Sequence, residues 1–240
     1  MLASAIRDIK ALDPLTHEGR VTALEGLRIE AAGPASALRL GAFVRFGSES
    51  GPRGELVGFE GDRAILLASD PLDGLAPGAP VIFASGLDSV RPSDAWLGRV
   101  MDAFAEPLDG KGPLRPGLRA RPVRAIAPNA QARARVDEKM GLGVKAIDVF
   151  APCARGQRLG VFAGSGVGKS TIMSMLARGA EADVIVIGLI GERGREVREF
   201  IEDTLGEAGL AKSVIVTATS DEPAPKRRRA AWLTLAVAEH

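Results

Sequence analysis

The sequence predicts an α/β fold in which a small all-β domain precedes a parallel sheet covered by helices. Short apolar runs separated by Gly, Pro, Asp and Ser fill residues 21 to 92, a texture typical of a small β-barrel or sandwich. From residue 151, apolar strands alternate with amphipathic helices, which indicates a parallel sheet. A glycine-rich turn at residues 163 to 170 has the spacing of a phosphate-binding loop.

Composition excludes several classes of protein. The 240 residues hold 31 Lys and Arg against 30 Asp and Glu, so the net charge of +1 gives no general attraction to nucleic acid or anionic membranes. Cys153 is the only cysteine, which rules out an intrachain disulfide and fits a reducing, cytoplasmic setting. The first residues lack the apolar core of a signal peptide, and no apolar run is long enough to span a bilayer.

The N-terminal part divides into a leading segment and the all-β domain. Residues 1 to 20 contain Ile6 and Ile9 at helical spacing, so we expect a short amphipathic helix there. In residues 21 to 92, the stretch "GFEGDRAILL" predicts a hairpin that turns at Glu60-Gly61-Asp62.

Residues 93 to 150 form a connecting segment that leads into the second domain. Its centre is rich in Pro, Gly and Arg and has six arginines but no acidic residue between Asp109 and Asp137. One interpretation is an RNA-binding arm. The other is an interdomain segment whose arginines pair with acidic neighbours or face solvent, and the lack of interleaved aromatic residues favours this second interpretation.

Residues 151 to 240 carry the alternating pattern. We expect strands at "RLGVFAG", "DVIVIGLIG" and "SVIVTAT", and helices at "GKSTIMSMLARGAE", "REVREFIEDTLGEAG" and "KRRRAAWLTLAVAEH". The second helix places Val197, Ile201 and Leu205 on one face and has Gly206 or Gly209 near its end.

The phosphate-binding loop runs from Ala163 to Ser170. Its glycines allow backbone N–H groups to turn toward phosphate oxygens, and the following helix adds its positive end. Lys169 is placed to reach the β- and γ-phosphates of ATP, and the Ser170 hydroxyl to bind Mg²⁺. The predicted nucleotide-binding residues are Ala163, Gly164, Ser165, Gly166, Val167, Gly168, Lys169, Ser170 and Thr171.

Glu192 follows the strand "DVIVIGLIG". Ligands gather at the carboxyl ends of parallel strands, so Glu192 is expected near the γ-phosphate, where a carboxylate can polarise the attacking water. Arg193 is placed to meet phosphate charge. The alternative is that both residues belong to a charged helix start.

Two further sets of charged residues stay open to interpretation. Asp221 could be a carboxylate beside Mg²⁺, but four residues separate it from Val216, the last clear apolar residue of the preceding strand. A helix-start acid is therefore favoured for Asp221. The basic run from Lys226 to Arg229 could bind an acid or a nucleotide, or it could be a solvated helix start.

Several stretches resemble one family. The segment "LGRVMDAFAEPLDGKGPL" is similar to the signature that leads into the nucleotide domain of rotary and secretion ATPases. Residues 140 to 171 resemble that nucleotide domain, and residues 153 to 158, Cys-Ala-Arg-Gly-Gln-Arg, are closer to its protein-export branch than to the F-type β subunit. The stretches after residue 185 resemble the same branch, above all the flagellar export ATPases.

This resemblance implies an N-terminal β-barrel, a RecA-like P-loop domain and assembly into a hexameric ring. It implies an ATPase that uses ATP and Mg²⁺ to release export substrates from chaperones and deliver them to a membrane export gate. Regulatory stalk proteins are expected partners, nucleic acid is not, and the expected location is the cytoplasmic face of the inner membrane. By match of motif, Lys169 and Ser170 hold MgATP, Glu192 is the catalytic carboxylate and Arg193 the phosphate-side arginine.

Other members of the class remain alternatives. A virulence-type secretion ATPase shares the chemistry, whereas an F- or V-type synthase subunit and an RNA-translocating ring are less favoured. The family pattern places its metal-organising aspartate, arginine finger, adenine-stacking aromatic residue and C-terminal helical domain beyond His240. We therefore expect the 240 residues by themselves to lack ATPase activity.

Overall fold

The computed structural model describes residues 18–33, 39–84, 86–164 and 166–240. Most of the helix expected in residues 1 to 20 lies outside these residues. The chain divides into two compact units. Among the described residues, the first unit contains residues 18 to 90 and 222 to 228, and the second contains residues 91 to 221 and 229 to 240.

The first unit is a closed barrel of six strands, which confirms the barrel over the sandwich. The strands are β1 Glu18–Glu25, β2 Arg28–Ala32, β3 Phe43–Phe46, β4 Arg53–Glu60, β5 Arg63–Ala68 and β6 Pro80–Ala84. They follow the order β1-β2-β5-β4-β3-β6, and every neighbouring pair is antiparallel. Closure leaves this sheet without free edges.

Alternation of side chains builds the barrel core. Val21, Ile29, Leu56 and Leu66 are buried together with Phe46 in a single cluster. The predicted hairpin joins β4 and β5, where Glu60 pairs with Arg63 and Gly61-Asp62 forms the turn. Gly61 has a φ of +63°, a left-handed conformation that suits glycine in a two-residue hairpin loop.

The second unit contains a parallel three-stranded sheet. A short strand, β7 Ser89–Val90, ends the barrel part of the chain. The elements that follow are β8 Arg99–Met101, β9 Arg121–Pro122, β10 Lys139–Met140, α1 Lys145–Phe150, β11 Cys153–Ala154, α2 Lys169–Gly179, β12 Ile185–Ile190, α3 Gly194–Glu199, α4 Gly206–Ala211, β13 Ser213–Ala218 and α5 Ala224–Ala238, whose first residues belong to the first unit. The sheet order is β12-β13-β8, with Ile187 beside Ile215 and Ile215 beside Val100.

Strands β12 and β13 and the three predicted helices confirm the α/β pattern. The helix predicted at "REVREFIEDTLGEAG" contains an unforeseen π-helical turn, Phe200–Leu205, between α3 and α4. Phe200 and Leu205 of this turn are buried with Val197 against Ile187 and Ile215 of the sheet. The apolar periodicity therefore marked the correct face of the helix.

The strand predicted at "RLGVFAG" is wrong. Residues 158 to 164 form no strand, and Phe162 is 97% exposed. A parallel strand is held by hydrogen bonds to its neighbours, and no strand in the described part of the chain pairs with this segment. Its apolar composition was therefore not sufficient to place it in the sheet.

Candidate active site

The phosphate-binding loop leads directly into α2. Gly166 and Gly168 have φ values of +77° and +97°, and Gly168 is the residue that precedes the first helical residue, Lys169. No side chain caps this end of α2 among the described residues. Its first N–H groups therefore lack a side-chain cap, and uncapped helix starts of this kind bind anions. Ser165 lies outside the described residues.

Backbone hydrogen bonds hold Glu192 at the carboxyl edge of the sheet. Strand β12 ends at Ile190, and Gly191 turns the chain with a φ of +78°. The Gly191 N–H donates to the Ala218 carbonyl at 2.7 Å, and the Ser220 N–H donates to the Glu192 carbonyl at 2.9 Å. Both bonds join the end of β12 to the end of β13, so the position of Glu192 follows from the parallel pairing.

Lys169 and Glu192 meet at this edge. The Lys169 ammonium donates a hydrogen bond to Glu192 Oε1 at 3.0 Å. The side chains of Lys169 and Glu192 are 46% and 34% exposed to solvent. Solvent therefore screens the ion pair, which adds little to stability. The sequence predicted that both residues would lie near the γ-phosphate, and the structure brings them together.

A cavity of about 460 Å³ opens beside the pair. Lys169, Ser170, Glu192 and Glu196 supply its charged and hydroxyl groups, and apolar side chains supply much of the remaining wall. A volume of this size matches the usual range for small-molecule sites. The arrangement offers one cation, one hydroxyl and two carboxylates around a space that is open to solvent.

The other predicted site residues do not line this cavity. Arg193 is exposed and is the residue that precedes α3, and its carbonyl accepts the Val197 N–H at 3.0 Å. Thr171 is exposed in the first turn of α2. Asp221 follows β13 at the same edge of the sheet but is not part of the cavity wall.

Three cavity residues with carboxylate, amide or thiol side chains were not predicted as part of the site. Glu196 lies in the first turn of α3, which begins directly after Glu192 and Arg193, and this position is the signal that could have identified it. Gln157 and Cys153 come from the segment around β10 and β11, and only the tertiary fold brings them here. Within the described residues, no three His, Cys, Asp or Glu side chains come together as a metal site.

The basic run at the start of α5 is not a solvated helix start. In the first unit, Lys226 pairs with Glu222 at 2.5 Å, and Arg228 pairs with Glu55 at 2.7 Å. In the second unit, Arg229 is buried, donates to the Ala103 carbonyl at 3.0 Å and lies 4.5 Å from the centre of the Phe104 ring. Each of these three cations therefore has a partner within the chain, and Arg229 is the one that is buried.

Comparison with known proteins identifies the family. Residues 143–240 match the nucleotide-binding domain of the ATP synthase alpha/beta family. Residues 143–240 therefore belong to this family. The match covers α2, Glu192 and the edge of the sheet that carries them.

Proteins named for the flagellum and for a type III secretion system are similar over nearly the whole chain. The flagellum-specific ATP synthase of Caulobacter vibrioides is 52% identical over 99% of this chain and 54% of its own length. The assembled ATPase EscN of the enteropathogenic Escherichia coli type III secretion system is 38% identical over 92% of this chain and 53% of that one, with a TM-score of 0.82. A structure of EscN with its central stalk EscO gives the same TM-score and identity and covers 54% of that chain.

These matches confirm the predicted fold class, a P-loop nucleotide domain preceded by a small barrel. The chain spans about half the length of the curated relatives it matches. In the described part of the chain, no helix combines the length and apolar character needed to cross a bilayer.

Proposed function

We propose that this chain supplies the phosphate-binding site of an ATPase that energises flagellar type III protein export. The observation that carries the proposal is the 3.0 Å contact between Lys169 and Glu192 at the mouth of a cavity, beside the uncapped start of α2. A phosphate-binding cation and a water-polarising carboxylate are two groups that ATP hydrolysis needs side by side.

Lys169 binds the β- and γ-phosphates. Its side chain is about half exposed, so it can leave Glu192 for phosphate oxygens at little cost. The backbone N–H groups of residues 163 to 171 surround the phosphates, and the positive end of α2 adds to their attraction.

Glu192 polarises the attacking water. Without nucleotide, the Glu192 carboxylate accepts a hydrogen bond from Lys169. When Lys169 binds phosphate instead, the carboxylate can accept a proton from water. Arg193 follows it on an exposed turn and contributes positive charge on the phosphate side.

The residues present also suit Mg²⁺. Magnesium is bound by few protein ligands together with phosphate oxygens and water, and the Ser170 hydroxyl lines the same cavity as Glu192. Ser170 would hold the ion, which would neutralise charge on the phosphates when bound.

The flagellar assignment is favoured by similarity. Identity is 52% to the flagellum-specific relative and 38% to EscN, although both comparisons cover nearly the whole chain. A virulence-type secretion ATPase is the alternative, because EscN shares the fold with a TM-score of 0.82.

The proposal extends to the assembly. EscN was solved as an assembled ATPase and with a central stalk, which supports a homo-hexamer and a stalk partner for this protein. Export chaperones, their substrates and a membrane export gate complete the proposed partners, with no role for nucleic acid. The proposed location is the cytoplasm, at the inner face of the membrane.

The test is a chromosomal Glu192→Gln substitution in the organism that makes the protein. Swimming and secretion of filament protein should be lost while the protein level is unchanged. Glu199→Gln is the matched control, because Glu199 is exposed, pairs with Arg195 and does not line the cavity. Normal filament secretion in the Glu192 variant would contradict the proposal, and loss of virulence secretion alone would favour the alternative.

A further inference from the structure

The connecting segment between Arg115 and Val136 carries positive charge that lies outside the proposed ATP site. Its six arginines are Arg115, Arg119, Arg121, Arg124, Arg133 and Arg135. Five are exposed and Arg121 is half-buried, and none of the six forms a salt bridge with a carboxylate within the described ranges. We call residues 115 to 136 the arginine segment.

The favoured interpretation allowed these arginines either to pair with acidic neighbours or to face solvent, and within the described residues they face solvent without forming ion pairs. Arg133 donates to the Pro128 carbonyl, and Arg124 lies 5.1 Å from the centre of the Trp232 ring. Guanidinium groups form their strongest hydrogen bonds with carboxylates, in bidentate pairs. The segment therefore presents several guanidinium groups that can form ion pairs with an acidic partner.

Large aliphatic side chains lie among these arginines. Leu118 and Ile126 are 96% and 97% exposed, and Val136 is 53% exposed. Single exposed apolar residues are ordinary, but two that bury almost nothing within one cationic stretch indicate a surface that another molecule covers. Regular structure is limited to Arg121–Pro122 and a 3₁₀ turn at Ala130–Ala132, so most backbone groups are also open to a partner.

We propose that the arginine segment docks an acidic polypeptide stretch that also carries aliphatic side chains. Carboxylates of the partner would pair with the arginine guanidinium groups, and aliphatic side chains of the partner would cover Leu118 and Ile126. Single-stranded nucleic acid fits less well because the segment contains no aromatic residue on which bases could stack. A membrane surface fits less well because the segment is not an amphipathic helix. This inference goes beyond the proposed ATPase function and does not depend on it.

The test measures binding without nucleotide, so its outcome is independent of ATP hydrolysis. The probe is a fluorescein-labelled peptide of alternating Glu and Leu residues separated by Gly-Ser, and its anisotropy is followed as the full chain is added. Arg119→Glu with Arg135→Glu should weaken binding by roughly tenfold, the loss expected for two solvent-screened ion pairs. Leu118→Ser with Ile126→Ser should also weaken binding, and added salt should weaken it further.

Arg39→Glu with Lys145→Glu is the matched control, since it changes the net charge equally at two exposed residues outside the segment. It should leave the affinity within about twofold of the parent, because distant exposed charges are screened. Equal losses in the control and the Arg119/Arg135 variant would overturn the proposal. Tighter binding of a uridine oligonucleotide or of phosphatidylglycerol vesicles than of the peptide would also overturn it.

Discussion

The Lys169 ammonium lies 3.0 Å from Glu192 Oε1, although 23 positions separate the two residues in the chain. Lys169 begins α2, and Glu192 follows β12 after a glycine turn. Without nucleotide, each group neutralises the other. In the proposed function ATP competes with Glu192 for the lysine, and this competition underlies the first two predictions.

Lys169→Ala should weaken ATP binding about ten- to hundredfold. The substitution removes a charge-assisted phosphate contact worth roughly 1.5–3 kcal/mol. The fold should survive because the side chain is about half exposed and packs in no core cluster. Isothermal titration calorimetry with the 240-residue chain measures the affinity, and Lys145→Ala, at an exposed residue outside the cavity, is the control. Unchanged affinity in the Lys169 variant would disprove the phosphate-binding role.

Glu192→Gln should tighten ATP binding by about 1.4- to fivefold. The substitution frees Lys169 from a solvent-screened pair worth roughly 0.2–1 kcal/mol, which corresponds to that range of affinity. It also removes negative charge beside the proposed γ-phosphate position. The same calorimetric titration applies, with Glu199→Gln as the matched control. Weaker binding in the Glu192 variant would show that the carboxylate helps to bind the nucleotide.

Asp109→Asn should destabilise the second unit in a pH-dependent way. Burial opposes the Asp109 charge, but hydrogen bonds from Arg99 and from the Lys111 and Val100 N–H groups outweigh it and lower the pKa of Asp109 to about 2 from 3.8. Because the pKa of Asp109 is lower in the folded state than in the unfolded state, its ionised carboxylate stabilises the fold at pH values above the unfolded-state pKa. This contribution disappears as the pH falls from about 4 toward 2. It amounts to about 2 kcal/mol at neutral pH.

Urea unfolding of the parent and the Asp109 variant at neutral pH and near pH 3 measures this contribution. The difference in unfolding free energy should shrink at the lower pH. Asp137→Asn, at an exposed position, should change the unfolding free energy by less than about 0.5 kcal/mol. A difference that stays constant across this range would show that the ion pair of Asp109 with Arg99 does not stabilise the fold.

Leu56→Ala should destabilise the barrel by about 2–5 kcal/mol. Leu56 is fully buried in the barrel core, so truncation removes apolar contacts and leaves a cavity. Val57, the next residue on β4, is 38% exposed, and Val57→Ala should cost less than about 0.5 kcal/mol. Thermal unfolding followed by circular dichroism compares the two variants. Equal losses would contradict the inward position of Leu56 and the outward position of Val57 on β4.

The sequence by itself determined the elements whose physics is local. Short apolar runs and turn residues predicted the all-β domain and the hairpin at Gly61-Asp62, because strand propensity and positive φ are properties of neighbouring residues. The same holds for α2 behind Gly168 and for the placement of Glu192 after an apolar strand.

Tertiary structure alone decided what depends on distant partners. The apolar stretch at residues 158 to 164 has the composition of a strand but forms none, because a strand needs hydrogen-bonding neighbours. Closure of the barrel, the partners of Arg228 and Arg229, and the position of Cys153 in the cavity wall also depend on long-range contacts. Local sequence patterns do not predict such contacts, because these contacts join residues that are far apart in the chain and meet only after folding.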